Sequence, residues 1–457
     1  MISAVGKVAS ILLCMAQLSG CVTYQAKPLP AAPSYPADPG RLAIAADSMP
    51  LPELRAHRFD PRDGLDMTEV AMLAVVNNPD LRVARDEAGI ASAQAFAAGL
   101  LPDPQLAASV DFPTGNSEGN NFIGYNFGLS YDLGPILARS SAKAAAAADK
   151  RKADLTLLWQ EWQVVSQARL LFVRNFEQKR LLAVLTENRD LLADRYRHSR
   201  SAFEEGNLTV DSVTADFASL QDLEKQLKEA ARHLRENSFA LNALLGLTPG
   251  SELQLVGGSQ LPRLVADRTR AQLPQILSRR PDLRALQAGY QSEDQRLRQA
   301  IIAQFPALNV GVHRARDNSD VRSVGPAITI SLPVFNRNRG NIAVEEATRQ
   351  RLYDEYQLRM NAAAGEIERL LADRPLLEKE LAEVQRAAVA ASGLAQASEE
   401  AFRQGNITEN AYVAARVALL DKRQDAIQLE QSILEQQIAI LALVGAVPSS
   451  GQGRGKP

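Results

Sequence analysis

Cysteine is almost missing from this sequence: Cys14 and Cys21 are the two it has, both within the first 21 residues. The body of the chain therefore carries no disulfide framework and no thiolate metal site. Histidine is scarce too. His57, His198, His233 and His313 stand singly, with no His-x-His or His-x3-His pair, so no metal site is expected from the sequence. Charge of one sign is not in excess, the formal net charge being -2, which removes the basic footprint that a nucleic-acid partner calls for. Also absent are a Gly-Lys-Ser/Thr phosphate loop, a Gly-x-Ser-x-Gly elbow and any recognisable pairing of carboxylates. No catalytic residue and no cofactor is expected, and the chain reads as something other than an enzyme. Aromatics make up only 5% of a chain that is 46% hydrophobic. That balance favours long helices packed through small side chains over an aromatic-rich core.

Long apolar runs are lacking as well. At the N-terminus, Lys7 precedes a short apolar stretch from Val8 to Leu18, followed by Leu18-Ser19-Gly20-Cys21. This is the layout of a secretory signal, since the stretch is too short to span ~30 Å of hydrocarbon. The Leu-Ser-Gly-Cys ending resembles the bacterial lipobox, which implies cleavage before Cys21 and a lipid on its thiol. Val22 in place of Asp then favours the outer membrane over the inner one. Residues 1–20 are thus expected to be a signal peptide and 21–65 a lipid-anchored tether. Eight prolines between positions 28 and 61 keep that tether extended rather than helical.

Beyond it the chain is written twice. Asn78-Pro79-Asp80-Leu81-Arg82 recurs as Arg280-Pro281-Asp282-Leu283-Arg284. The stretch from Phe203 through Gly206-Asn207-Leu208-Thr209 recurs from Phe402 through Gly405-Asn406-Ile407-Thr408, and Leu241–Pro249 recurs as Ile440–Pro448. The offsets are 202, 199 and 199 residues, which sets the first repeat at 66–250, a linker at 251–271, the second repeat at 272–448 and a tail at 449–457.

Each repeat opens with a helical stretch, about Met67 to Ala98 and about Gln272 to Gln304, ended by Pro102 or Pro306. Two strands follow in each, near 105–113 and 121–134, and near 307–316 and 324–334. From Ile123 to Leu133 the odd positions are apolar or aromatic, and Gly, Asn, Ser and Asp lie between them. From Val324 to Val334 the even positions are apolar and face Gly325, Ala327, Thr329, Ser331 and Pro333. Such alternation over about 11 residues suits a strand crossing a membrane. The plainer alternative is a soluble sheet with one wet face. If the strands do cross, four per chain cannot close a barrel, because about eight is the practical minimum. Hydrocarbon tolerates no open edge, so several copies must share one barrel.

The segment after each strand pair is long and nearly free of proline: none from Pro135 to Pro249, and only Pro375 between Pro333 and Pro448. Gly206-Asn207 and Gly405-Asn406 interrupt these runs where Gly stops a helix and Asn tolerates the turn, with Thr209 and Thr408 as caps of the return helices. Each run is predicted to be a helical hairpin with its tip at 204–209 or 403–408. The outgoing leg of about 65 residues spans roughly 97 Å, against roughly 58 Å for the return leg, and the opening helix makes up the difference.

Lipobox, duplicated hairpins, one strand pair per repeat and glycine-containing tips together resemble the TolC-like outer-membrane efflux factors, from about residue 66 to 448. That resemblance implies a mainly α fold with a small membrane β part, in which tandem long helical hairpins build a periplasmic tunnel. Four strands from each chain of a homotrimer would then share a twelve-stranded outer-membrane barrel. It implies an adaptor protein and an inner-membrane pump as partners, with the adaptor docking at Gly206, Asn207, Leu208 and Thr209 and at Gly405, Asn406, Ile407 and Thr408. The stretch Leu332 to Ile342 looks like the strand-to-helix junction of the heavy-metal (CzcC-like) branch, which points to metal cations as cargo; drugs or other small solutes are the alternative. Some family members close the tunnel with aspartates six and nine residues after the second tip glycine, where this sequence has Ala411 and Ala414. Glu204, Glu205, Asp211 and Asp216 of the first repeat are the candidates left for a gate or pore ring. A different class of protein, a periplasmic adaptor or structural coiled-coil lipoprotein, would show one hairpin rather than two.

Overall fold

Asn78-Pro79 and Arg280-Pro281 decide where each repeat bends. A residue before proline is pushed out of the α region, while proline itself suits the first helical position. The opening helical stretch of each repeat, predicted as one helix, is therefore two. In the computed structural model, which describes residues 24–35, 44, 47, 49, 51–114, 122–257, 261 and 265–444, α1 is Pro52–Arg55, α2 Met67–Asn77 and α3 Pro79–Ala97, with Asn78 at ψ 125° between the last two. The strands β1 (Gln105–Asp111) and β2 (Gly124–Asp132) lead into α4 (Gly134–Glu204) and α5 (Val210–Leu244). The second repeat runs α6 (Ala266–Ala271), α7 (Leu273–Arg279), α8 (Pro281–Ile302), β3 (Ala307–Arg316), β4 (Arg322–Ser331), α9 (Arg339–Arg403) and α10 (Glu409–Val444). α9 continues through Pro375, which leaves the Leu371 carbonyl without its usual amide. The signal peptide, Cys21, the second half of the Leu241–Pro249 repeat (Gly445 to Pro448) and the tail fall outside the described residues.

The two repeats join their helices in the same way. Asn78 caps α3 through its Oδ1, which accepts from the Leu81 amide at 2.9 Å, and its Nδ2 donates to the Leu244 carbonyl at the end of α5, also at 2.9 Å. Arg280, the equivalent residue, donates Nη1 to the Leu443 carbonyl near the end of α10 at 3.2 Å. The end of each return helix thus meets the start of a short helix. Gly246 makes the first junction possible: its φ is +63°, and a Cβ there would lie 2.6 Å from the Asn77 carbonyl oxygen.

The main core lies at this level. α2 is buried all round from Val70 to Val75 and packs on Val165, Ala168, Leu171, Phe172 and Val173 of α4. A helix apolar on every side has to be enclosed. Met49, Leu54 and Leu65 are buried in the same cluster, and Leu65 pairs with Leu255 in a parallel bridge. The expectation of an extended tether up to residue 65 is thereby corrected for its last part. Proline spacing forbids a long helix but says nothing about burial, and the apolar residues between the prolines dock. Residues 24–35 form neither helix nor strand and are exposed.

Candidate functional site: the sheet and the hairpin tips

The four strands form one antiparallel sheet in the order β1-β2-β3-β4. Its register puts paired residues on a common face. Leu129 lies between Leu106 and Val312, and Val312 faces Pro326. One face thus carries Leu106, Val110, Phe127, Leu129, Val312, Val324, Ile328 and Ile330, all exposed. The other carries Ser109, Asn126, Gly128, Ser130, Asn309, Gly311, Gly325 and Thr329 in the same register. An apolar face this large and uncovered marks a contact with lipid or protein. The outer edges of β1 and β4 pair with no strand among the described residues. Every helical connection enters or leaves at one end of the sheet, after Asp132 and Ser331 and before Gln105 and Ala307, while the hairpin loops lie at the other.

At the far ends of the long helices the tips are built alike. Gly206 (φ +78°) and Gly405 (φ +72°) occupy the left-handed region. Asn207 N–H donates to the Ala202 carbonyl at 2.7 Å and Gly206 N–H to Phe203 at 2.9 Å; the second tip repeats this with Asn406 to Ala401 and Gly405 to Phe402, both at 2.9 Å. These are paired helix-end bonds that need a left-handed residue after the cap. Asn207 and Asn406 each donate their side-chain amide two residues back, to Glu205 and Gln404. Leu208 and Ile407 are half-buried; Gly206, Asn207, Thr209, Gly405, Asn406 and Thr408 are exposed. The threonines diverge. Thr408 Oγ1 accepts from the Ala411 amide at 3.3 Å, as a cap should, whereas Thr209 turns its hydroxyl to Ser212 Oγ at 3.2 Å.

The four gate candidates do not gather into one ring within the chain. Asp216 is 3% exposed and paired with Arg195 of α4 at 2.5 Å. It fastens α5 to α4 and faces no lumen, so the pore reading is corrected for this residue. Arg195 supplies the cation that keeps a buried carboxylate tolerable. Glu204 accepts from Arg200 at 3.0 Å on its own helix. Glu205 and Asp211 stay exposed. Three ion pairs run along α4 and α10, Arg174–Glu435 at 2.9 Å, Arg180–Glu430 at 2.9 Å and Glu187–Arg416 at 2.6 Å, and His198 Nδ1 lies 2.6 Å from Glu409 Oε1 toward the tips. They set the antiparallel register of the two hairpins.

Two groups escaped the sequence reading. His57, Asp66 and Glu69 place three metal-type ligand atoms within 4.8 Å of one another. The two carboxylates are largely committed to backbone amides: Asp66 Oδ1 accepts from the Thr68 and Glu69 amides and Glu69 from the Asp60 and Asp66 amides, while His57 Nε2 stands 3.3 Å from Asp66 Oδ2. The other is Asn338, inside the Leu332–Ile342 junction. It adopts φ +55° and donates to the Ala300 carbonyl at 2.8 Å, so its side chain braces α8. Among the described residues no helix is long and apolar enough to cross a membrane.

Duplicated helical hairpins on a shared open sheet define the protomer fold of the TolC-like outer-membrane channels. The solved outer-membrane channel CmeC of Campylobacter jejuni superposes with a TM-score of 0.70 at 18% identity, covering 84% of this chain and 86% of that one. The family model for outer membrane efflux proteins matches residues 273–446, within the second repeat. The putative multidrug resistance outer membrane protein MdtQ of Shigella flexneri is 24% identical, covering 83% of this chain and 85% of its own length. The probable outer membrane lipoprotein SilC of Salmonella typhimurium is 23% identical over 94% and 96% of the two chains. Over its second repeat the sequence therefore matches the outer membrane efflux protein family, and the fold is shared with a solved outer-membrane channel.

Proposed function

We propose that three copies of this chain close one twelve-stranded barrel in the outer membrane and one helical tunnel beneath it, serving as the exit duct of a tripartite efflux system. The observation that carries this reading is the open four-stranded sheet, apolar and uncovered on one face and joined to helices at one end only. In hydrocarbon its two free edges would each leave a row of unpaired amides and carbonyls, and pairing β4 of one copy with β1 of the next removes all of them. The matched tips, far from the sheet, are the surfaces we assign to the periplasmic adaptor of an inner-membrane pump. Cys21 is the proposed lipid anchor: Cys21→Ala is expected to abolish incorporation of radiolabelled fatty acid, and persistent label would rule the anchor out.

Small organic solutes are the cargo supported best, by the name carried by MdtQ. Metal cations are the second reading, favoured by the likeness of the Leu332–Ile342 junction. Against that, Asp216 is taken by Arg195, which weakens the case for a cation-selecting carboxylate ring. A strain lacking this chain, challenged with antibiotics, dyes and a series of metal salts, is expected to become more sensitive several-fold to organic compounds and to recover on complementation. Sensitivity confined to metals would reverse the order of the two cargoes, and no change in any would sink the duct.

A further inference from the structure

The loop end of the sheet breaks the apolar pattern with three arginines. The face that bears Val312, Val324 and Ile328 also bears Arg314, Arg316 and Arg322, because Arg314 pairs with Phe127 and Val324, and Arg316 with Tyr125 and Arg322. Neighbours two apart on one strand face, and diagonal neighbours across a ladder, lie about 7–8 Å from each other. Three guanidinium groups can therefore converge on one anion. Two of them are braced. Asp320, in the loop, meets Arg316 at 2.7 Å and Arg322 at 3.6 Å, and Arg316 also sits 4.5 Å over the Phe122 ring. Asp317 spends Oδ1 on the Ser319 and Val321 amides. Arg314 is exposed and has no ion-pair partner among the described residues.

A solvated lumen would hold these cations at little cost, but the register puts them on the opposite face. An arginine facing lipid costs about 2–4 kcal/mol at mid-bilayer and about 0–1 near the surface. Arg314 lies two residues from the end of β3, roughly 7 Å along the strand, which is headgroup depth. Since the helices leave from the other end of the sheet, this rim belongs to the outer leaflet.

We infer that Arg314 and Arg322, steadied by the Arg316–Asp320 pair, form a site on the outside of the barrel for the phosphate of an anionic outer-leaflet lipid headgroup. Planar guanidinium forks match phosphate geometry, and the exposed Val312, Val324 and Ile328 below them would take the acyl chains. The inference rests on the barrel reading proposed above.

The test uses the full-length protein reconstituted in phosphatidylcholine vesicles, with and without bisphosphorylated lipid A. The readout is the temperature at which the oligomer falls to monomer in detergent electrophoresis. Lipid A is expected to raise that temperature for the native protein by several degrees, and Arg314→Gln combined with Arg322→Gln to erase most of the gain while leaving the value in phosphatidylcholine alone unchanged. The site is overturned if the variant keeps the full gain, if dephosphorylated lipid A serves equally well, or if inorganic phosphate added to phosphatidylcholine vesicles gives the same rise. Failure to form any oligomer in any vesicle would overturn the shared barrel, and the site with it.

Discussion

Replacing Arg280 with methionine is expected to cause a large loss of stability. Arg280 and Asp282 are buried, with side chains 3% and 7% exposed. The guanidinium grips the carboxylate with both ends of its fork, Nε to Oδ1 at 3.0 Å and Nη2 to Oδ2 at 2.7 Å. It also donates to the Leu443 carbonyl and lies 4.9 Å from the centre of the Trp159 ring. Methionine would fill much of the space while leaving Asp282 charged, buried and without its cation. Removing one partner of a buried pair costs about 3–5 kcal/mol. Here the lower figure is expected, because Asp282 sits in the first turn of α8, where the free amides of the helix still favour a negative charge.

The check is thermal unfolding of the detergent-solubilised protein. Arg280→Met should melt well below the native protein, and Arg280→Met with Asp282→Leu should recover a large part of the loss, since the double change leaves no orphan charge. A double variant no better than the single one would show that the contacts to Leu443 and Trp159, rather than the ion pair, hold this junction.

That junction also shows where sequence reading succeeds and where it stops. The repeat was legible because Asn-Pro-Asp-Leu-Arg and Arg-Pro-Asp-Leu-Arg stand at nearly the same offset as the two tip motifs. The strand faces were legible because alternation has a period of two and admits a single register of faces. The tips were legible because glycine before asparagine, inside a proline-free run, has few other uses. Asp216 was not: a carboxylate on a helix looks alike whether it faces water or an arginine, and Arg195 lies on the other leg of the hairpin. The docked segment around Met49, Leu54 and Leu65 was hidden for a related reason. Prolines dominate its composition, while its contacts are to α2 and α4 and to Leu255, about 190 residues further along. The two-helix opening was within reach, since the residue before proline carries the signal, but the helical periodicity on both sides masked the break.

Glu293 supplies the second large effect, a pH dependence. It lies on α8 with its side chain 4% exposed and one carboxylate oxygen, Oε1, buried without a hydrogen-bond partner. Burial, and then the neighbouring Glu345 of α9, push it from an ordinary value near 4.5 up to about 7; Asp149 of α4 adds to this, and Arg296 opposes it. Arg296 is largely occupied elsewhere, holding Asp149 at 2.6 Å while standing 3.7 Å from Glu293. Between pH 4.5 and 7 the folded protein therefore holds a proton here that the unfolded chain has released. More protons bound in the folded state means that stability falls as pH rises through that window. Above it, the cost of a buried carboxylate beside a second one is carried in full. Glu293→Gln keeps the shape of the protonated acid and removes the titration. Measured at pH 5, the variant and the native protein should melt within about a degree of each other, whereas at pH 8 the variant should melt higher, by an amount on the order of several degrees for a protein of this size. Equal melting at both pH values would mean that Glu293 has no proton to lose, and that α4, α8 and α9 are held together without regard to its charge.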